Sequence, residues 1–236
     1  MEKFLEDQTI LIAHKAADRT MTENTLESMK RMEKKGAKWF EIDCFLMKDG
    51  NIAVTHDLTL DRTTNSKGKI TEMSACDLVD VHLKESVQEK IPMLEEIVAY
   101  ARAKNLHVMI EVKDKNLAIV KKIDDLISAY NSDLFVIYSF HKKIVTEFAN
   151  LQPNYSIRWN MEKLSKKRML LAKKIGVGIN LNRRFLLKSD IEKLTAAGFD
   201  LHVYTVNSKR QAKELFERGV KAIITDTLFG GKLDEK

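Results

Sequence analysis

Proline is almost missing from this chain, with two in 236 residues, and glycine is sparse at nine. That excludes collagen-like, linker-dominated and Pro/Gly-rich low-complexity chains. Two cysteines, Cys44 and Cys76, form neither a disulfide framework nor a CxxC pair. Cys44 lies in an apolar strand-like run, where a buried reduced thiol is expected. No apolar run approaches the roughly 20 residues that cross a bilayer, and the opening MEKFLEDQ is too polar for a signal peptide. A cytoplasmic protein without an integral membrane segment is therefore expected. A dense basic tail is also lacking. The 40 Lys+Arg against 34 Asp+Glu leave a net charge of +6, and lysines such as Lys30, Lys34, Lys121 and Lys122 are scattered through helix-like stretches as a solvated face. This favours anionic ligands in a general way and predicts no nucleic-acid partner.

What is present is an alternation. Short apolar, β-branched runs occur at 9–14, 39–46, 107–113, 134–140, 155–160, 177–181, 200–206 and 221–226. Helical-period stretches lie between them at 22–35, 93–104, 118–130, 142–149, 162–174, 189–197 and 208–218. Near-continuous apolar runs such as Ile10-Leu11-Ile12-Ala13 are the mark of parallel strands covered on both faces. Eight of them alternating with helices, in a chain of this length, predict an α/β fold: one (β/α)₈ TIM barrel domain over residues 1–236. No GxGxxG follows any strand-like run, which argues against a dinucleotide-binding sheet. Gly198 and Gly219 fit as helix stops. Residues 47–92 break the rhythm and predict a small insertion after the second strand. It holds a turn at Lys48-Asp49-Gly50-Asn51, a short strand at 52–56, a polar remainder and a small helix near 74–81.

Charged residues in buried strands need a reason. His14 ends the first strand, Glu41 and Asp43 share one face of the second, Glu111 and Lys113 share one face of the third, and Asp226 ends the eighth. Most fall at C-terminal strand ends, where barrel enzymes build their sites. The plain alternative is a network of buried salt bridges, but one lysine cannot neutralise three carboxylates, and an unpaired buried one costs several kcal/mol or takes up a proton. A divalent cation resolves the excess, and oxygen donors suit Mg²⁺ or Ca²⁺ better than Zn²⁺. Of six histidines, His14 at a strand end and His56 in His56-Asp57 are the functional candidates, because a pair of imidazoles flanking a metal-bound phosphate can serve as general base and general acid. Surface or packing roles are expected for His82, His107, His141 and His202.

His14, Glu23-Asn24-Thr25, Glu41-Ile42-Asp43, Asp49-Gly50, His56-Asp57, Arg62-Thr63-Thr64 and Glu111-Val112-Lys113 stand in an order that resembles the glycerophosphodiester phosphodiesterase family. The likeness continues through Thr205-Val206-Asn207, Gly219-Val220 and Thr225-Asp226 and so covers nearly the whole chain. The resemblance implies a barrel hydrolase of glycerol and lipid metabolism that cleaves small glycerophosphodiesters to an alcohol and glycerol 3-phosphate. It implies one divalent cation, Mg²⁺ or Ca²⁺ with Mn²⁺ as a further candidate, on Glu41, Asp43 and Glu111. His14 and His56 would be the acid–base pair, and Lys15, Lys113 and Tyr204 would contact substrate. It also implies attack by the glycerol 2-hydroxyl and a cyclic phosphate that water opens. Lys15-Ala16 stands where the family has Arg-Gly, which removes a planar phosphate-gripping fork. Thr22 replaces a proline and fits a helix cap. Tyr204 replaces a tryptophan. These departures keep open the same chemistry on a lysophospholipid or a glycerol-phosphate polymer, or a non-catalytic phosphate-binding barrel.

Overall fold

A strand buried on both faces has no room for polar alternation, and the apolar runs are used in that way. The computed structural model describes residues 10–86, 89–128 and 132–229. Among them, β1 (Ile10–Ala13), β2 (Trp39–Leu46), β3 (Ile52–Val54), β4 (His107–Val112), β5 (Phe135–Ser139), β6 (Ser156–Met161), β7 (Gly178–Asn182), β8 (Leu201–Tyr204) and β9 (Ala222–Thr225) form one sheet. All but β3 are parallel and run in the order β1-β2-β4-β5-β6-β7-β8-β9. Four residue pairs from Ile10↔Ala222 to Ala13↔Thr225 then join β9 to β1 and close the barrel. Among the described residues seven α-helices return the chain between strands: α1 (Leu26–Lys34), α2 (Leu94–Lys104), α3 (Ala118–Ser128), α4 (Lys142–Asn150), α5 (Lys166–Lys174), α6 (Lys188–Ala196) and α7 (Lys209–Glu217). No helix among the described residues is long and apolar enough to cross a membrane. Thr9, Ala129 and Tyr130, expected to extend β1 and α3, lie outside the described residues, as does the polar opening segment.

Two apolar layers hold the barrel. The larger lies between strands and helices and includes Met29 and Met32 of α1, Ile97 of α2, Ile123 of α3 and Phe148 of α4. The smaller is the barrel interior, where Ile10, Ile12 and Ile224 of the paired strands β1 and β9 meet Met109, Val136 and Tyr138 of the paired strands β4 and β5. Below the C-terminal strand ends the interior is also polar. Arg158 donates from Nη1 to the Asp200 carbonyl at 2.6 Å and pairs with the Asp200 carboxylate, while His202 joins Tyr138 to Asp200. His202 is thus a packed interior residue. His107 stacks on Trp39 with ring centroids 3.7 Å apart.

Two boundaries differ from expectation. The cap of α1 is Thr25, whose hydroxyl accepts from Ser28 N at 3.0 Å, and Thr22 instead offers its carbonyl to Ser28 Oγ at 2.6 Å. Asn24 holds a left-handed φ of 58° and points its amide at Asp43, so the helix cannot begin before it. Helix α5 starts at Lys166, not Glu162, and Glu162 is held instead by Asn182 Nδ2 at 2.8 Å. Gly198 and Gly219 stop α6 and α7 at φ values of 77° and 94°, where a side chain would be strained.

Segment 47–92 leaves the C-terminal end of β2. Its strand β3 pairs antiparallel with β2 through Cys44↔Val54, Phe45↔Ala53 and Leu46↔Ile52. The rest, expected to be polar, builds a core of its own from Leu60, Ile70, Leu78, Val81, Leu83 and Ile91 packed on Phe45 and Met47. These residues stand singly among polar ones with no fixed period, so pattern reading passes over them. The expected small helix is one 3₁₀ turn, Ala75–Leu78, whose Asp77 Oδ2 accepts from Ser74 N at 2.8 Å.

Candidate active site

Alternation along β2 turns Glu41 and Asp43 to the same side, and the β2–β4 register sets Asp43 directly opposite Glu111. One oxygen from each of the three lies within 4.8 Å of the others. Each carboxylate also has one oxygen tied by a neutral donor: Glu41 Oε2 by the Lys15 amide at 2.8 Å, Asp43 Oδ2 by Asn24 Nδ2 at 3.0 Å, and Glu111 Oε2 by Asn160 Nδ2 at 2.9 Å. Asn180 in turn donates to Asn160 Oδ1 at 2.9 Å. Lys113 Nζ sits 3.5 Å from Asp43 Oδ1 and 3.4 Å from Glu111 Oε1.

Burial, and then the charge of Asp43, push Glu41 up to about 8 and Glu111 to about 7. Burial alone would lower the Lys113 ammonium, but Asp43, Glu111 and Glu41 outweigh it and raise it. When all three carboxylates are ionised, one ammonium leaves two negative charges in a mostly buried cluster of oxygen donors, and without a cation Glu41 and Glu111 answer that excess by holding protons. That donor set fits a hard divalent cation.

Both histidines that flank the cluster are anchored through Nδ1. His14, just past β1, faces Asp226 Oδ1 at 2.6 Å, and Asn207 Nδ2 holds the other Asp226 oxygen at 2.6 Å. Burial would lower the His14 pKa, yet the bond to Asp226 and the charges of Glu41, Asp226 and Asp43 raise it above its ordinary value. His56, just past β3, faces Asp57 Oδ1 at 2.7 Å. Asp57 pairs with Arg62, Arg62 with Glu23, and Glu23 Oε2 with Lys15 Nζ at 3.1 Å. This chain of ion pairs straps the inserted segment to the end of β1. In both imidazoles the carboxylate at Nδ1 leaves Nε2 for proton exchange.

His14, Asp43, His56, Glu111, Lys113 and Tyr204 line one cavity of about 550 Å³, with Glu41 beneath them. Lys15 is not brought to its wall. Its ammonium serves Glu23 and its amide serves Glu41. Lys15 and Ala16, which stand where the resemblance has Arg-Gly, both take left-handed φ values, 52° and 53°. The Tyr204 hydroxyl donates to the Met161 carbonyl at 3.3 Å, so it is the ring that forms the wall, edge to face with Phe140. Sequence reading singled out neither Phe140 nor Arg183 and Arg184, which line the same cavity. It also gave no role to Asn24, Asn160, Asp57 or Asp226, although Asp226 had been visible as a charge at a strand end.

The profile of the glycerophosphoryl diester phosphodiesterase family matches residues 14–228. Among curated proteins, the chain is 26% identical to a glycerophosphodiester phosphodiesterase of Bacillus subtilis, over 93% of this chain and 84% of the relative. It is 23% identical to a lysophospholipase D of Homo sapiens, over 91% and 82%. Among solved structures, it resembles an Oleispira antarctica phosphodiesterase in complex with the product sn-glycerol-3-phosphate, with a TM-score of 0.86, 24% identity and 92% of each chain covered.

Proposed function

We propose, from the premise that this chain belongs to the glycerophosphoryl diester phosphodiesterase family, that it hydrolyses small glycerophosphodiesters to an alcohol and glycerol 3-phosphate. The observation that carries the reading is the cluster of Glu41, Asp43 and Glu111 beside two carboxylate-anchored imidazoles in one cavity. Glu41, Asp43 and Glu111 would hold the cation, and Mg²⁺ or Ca²⁺ suits their oxygens. When bound, it supplies charge neutralisation at the phosphoryl oxygens and lowers the pKa of a coordinated hydroxyl.

The remaining steps belong to the side chains. Lys113 donates to a phosphoryl oxygen and offsets the charge that builds up there. One imidazole Nε2 takes the proton of the glycerol 2-hydroxyl as its oxygen bonds to phosphorus. The other Nε2 gives a proton to the leaving oxygen as its bond to phosphorus breaks. Water then opens the cyclic phosphate with the two roles exchanged. Asp226 and Asp57 keep both rings in the tautomer that presents Nε2, and the Tyr204 ring packs against the substrate. Lys15 acts through its amide, by fixing Glu41. A cytoplasmic setting is part of the same reading, and the two free cysteines are compatible with it.

The test is release of glycerol 3-phosphate from glycerophosphocholine and glycerophosphoethanolamine with Mg²⁺, Ca²⁺ or Mn²⁺, and with chelator. Turnover that needs the added cation is expected. Undiminished turnover in excess chelator would remove the cation from the scheme.

A further inference from the structure

We propose that Arg183 and Arg184 form an anion-accepting subsite for the leaving alcohol, so that diesters whose alcohol carries a phosphate or carboxylate are turned over in preference to those with a cationic or neutral alcohol. This rests on the phosphodiesterase reading above and adds to it the charge of the alcohol.

Position comes first. The two arginines open the 3₁₀ turn Arg183–Phe185 directly after β7. In the closed ring β7 lies four strands from β2 in either direction, so the turn faces Glu41 and Asp43 across the mouth. Both arginines nonetheless line the same cavity as His14, His56 and Lys113. A diester with its phosphate at the carboxylate cluster extends one arm across that mouth toward them. The turn is fixed in place, because Asn182 Oδ1 accepts from Arg184 N at 2.9 Å while Asn182 Nδ2 donates to Glu162 Oε2 at 2.8 Å.

Charge comes second. Arg62, Arg158 and Arg210 are each matched to a carboxylate. Among the described residues Arg183 and Arg184 are not: Arg183 Nε is buried without a hydrogen-bond partner, and Arg184 lies over the Phe185 ring at 5.6 Å. Asp190, the acid nearest in sequence, accepts from Leu187 N, and Glu162 accepts from Asn182 Nδ2; neither is paired with either guanidinium. Lys163, over the Phe185 ring at 4.7 Å, adds a further positive charge. The three cluster carboxylates are balanced by a divalent cation and Lys113. A phosphodiester brings one negative charge and Glu162 another, so two guanidiniums and Lys163 leave one positive charge in surplus even when the scissile phosphate is bound. A glycerol arm offers only hydroxyls to that surplus, and a choline arm meets it with like charge. A phosphate or carboxylate on the alcohol matches the planar forks of both arginines. Phe140 and Tyr204 stand edge to face at 5.9 Å and 87°, a single wall and not the box of ring faces that holds a quaternary ammonium.

The test uses the full chain with saturating divalent cation. It compares kcat/KM for glycerol-phosphate diesters of choline, of glycerol and of glycerol carrying a terminal phosphate, in the wild type and in the Arg183→Gln/Arg184→Gln and single Arg184→Gln variants. The wild type should favour the phosphorylated alcohol over choline by about tenfold or more, mostly through KM, and the double variant should bring that ratio close to one. Calorimetric binding of glycerol 3-phosphate and glycerol 1,3-bisphosphate gives a readout that needs no turnover, and the bisphosphate should lose its advantage in the double variant. A wild type without the preference, a double variant that keeps it, or equal loss on all three diesters would overturn the subsite, the last by assigning the arginines to the scissile phosphate. If no diester is cleaved while binding still favours the bisphosphate through these arginines, the subsite stands and the phosphodiesterase reading falls.

Discussion

At the scale of single residues, the two imidazoles divide from the rest of the site by what their loss should cost. His14 and His56 have side chains 27% and 34% exposed, so truncation leaves no large cavity and removes little apolar burial. His14→Ala and His56→Ala should each lower turnover by about 10²–10⁴-fold, with melting temperatures close to the wild type. A steady-state assay beside a thermal melt checks both halves, and near-normal turnover in both variants would end their assignment as proton carriers. Asp226 acts one step back. Asp226→Asn keeps the shape but can no longer accept a proton-bearing Nδ1 as an anion, so the His14 pKa should fall and its limb of the pH–rate profile should move to lower pH. Turnover should drop by roughly a hundredfold or more, by analogy with the loss of a carboxylate behind a catalytic imidazole. An unshifted profile would leave Asp226 a structural role only. The carboxylates were legible in the sequence because charge in an apolar strand is an anomaly that demands a partner. Asn24 and Asn160 were not, since a neutral amide beside a strand raises no such question, and only the fold reveals which carboxylate it serves.

At the scale of elements, strand positions were legible from apolar runs, and helix starts were less so. Helical periodicity continues through Thr22 and Glu162, but the side chains of Asn24 and Asn182 draw the backbone around them into the site, and tertiary contacts override the local pattern. The inserted segment was visible by its length. Its core was hidden because irregular loops bury single residues without a period. Strand β7 offers a test of how tightly the barrel interior is packed. A β-carbon on Gly178 would meet Arg158 Nη1 at 2.7 Å, Cγ at 3.1 Å and Cζ at 3.2 Å. Arg158 is only 6% exposed and is held by Asp200, so it has little room to retreat. Gly178→Ala should therefore destabilise the barrel by about 1–3 kcal/mol. That corresponds to a fall in melting temperature of several degrees for a chain of this size. An unchanged melt would show that Arg158 repacks freely and that its pairing with Asp200 does not constrain the interior.

At the scale of the whole molecule, the site places an electrostatic load on the fold that the cation relieves. Without it, burial and Asp43 hold the Glu41 pKa up to about 8 and that of Glu111 to about 7, whereas a glutamate starts from 4.5. Between about pH 4.5 and 8 the folded state therefore holds more protons at these two groups than the unfolded chain does. Stability of the cation-free protein then falls as pH rises through that window. A divalent cation competes with those protons, binds the folded state alone and stabilises it by mass action. Its benefit must consequently grow with pH. The difference in melting temperature between protein in excess Ca²⁺ and protein in chelator should be small near pH 5.5 and largest near pH 8. Asp43→Asn should narrow that difference, because it removes both a ligand and the charge that raises its neighbours. Tested by parallel melts across this range, an increment independent of pH, or one that survives Asp43→Asn undiminished, would place cation binding elsewhere on the protein.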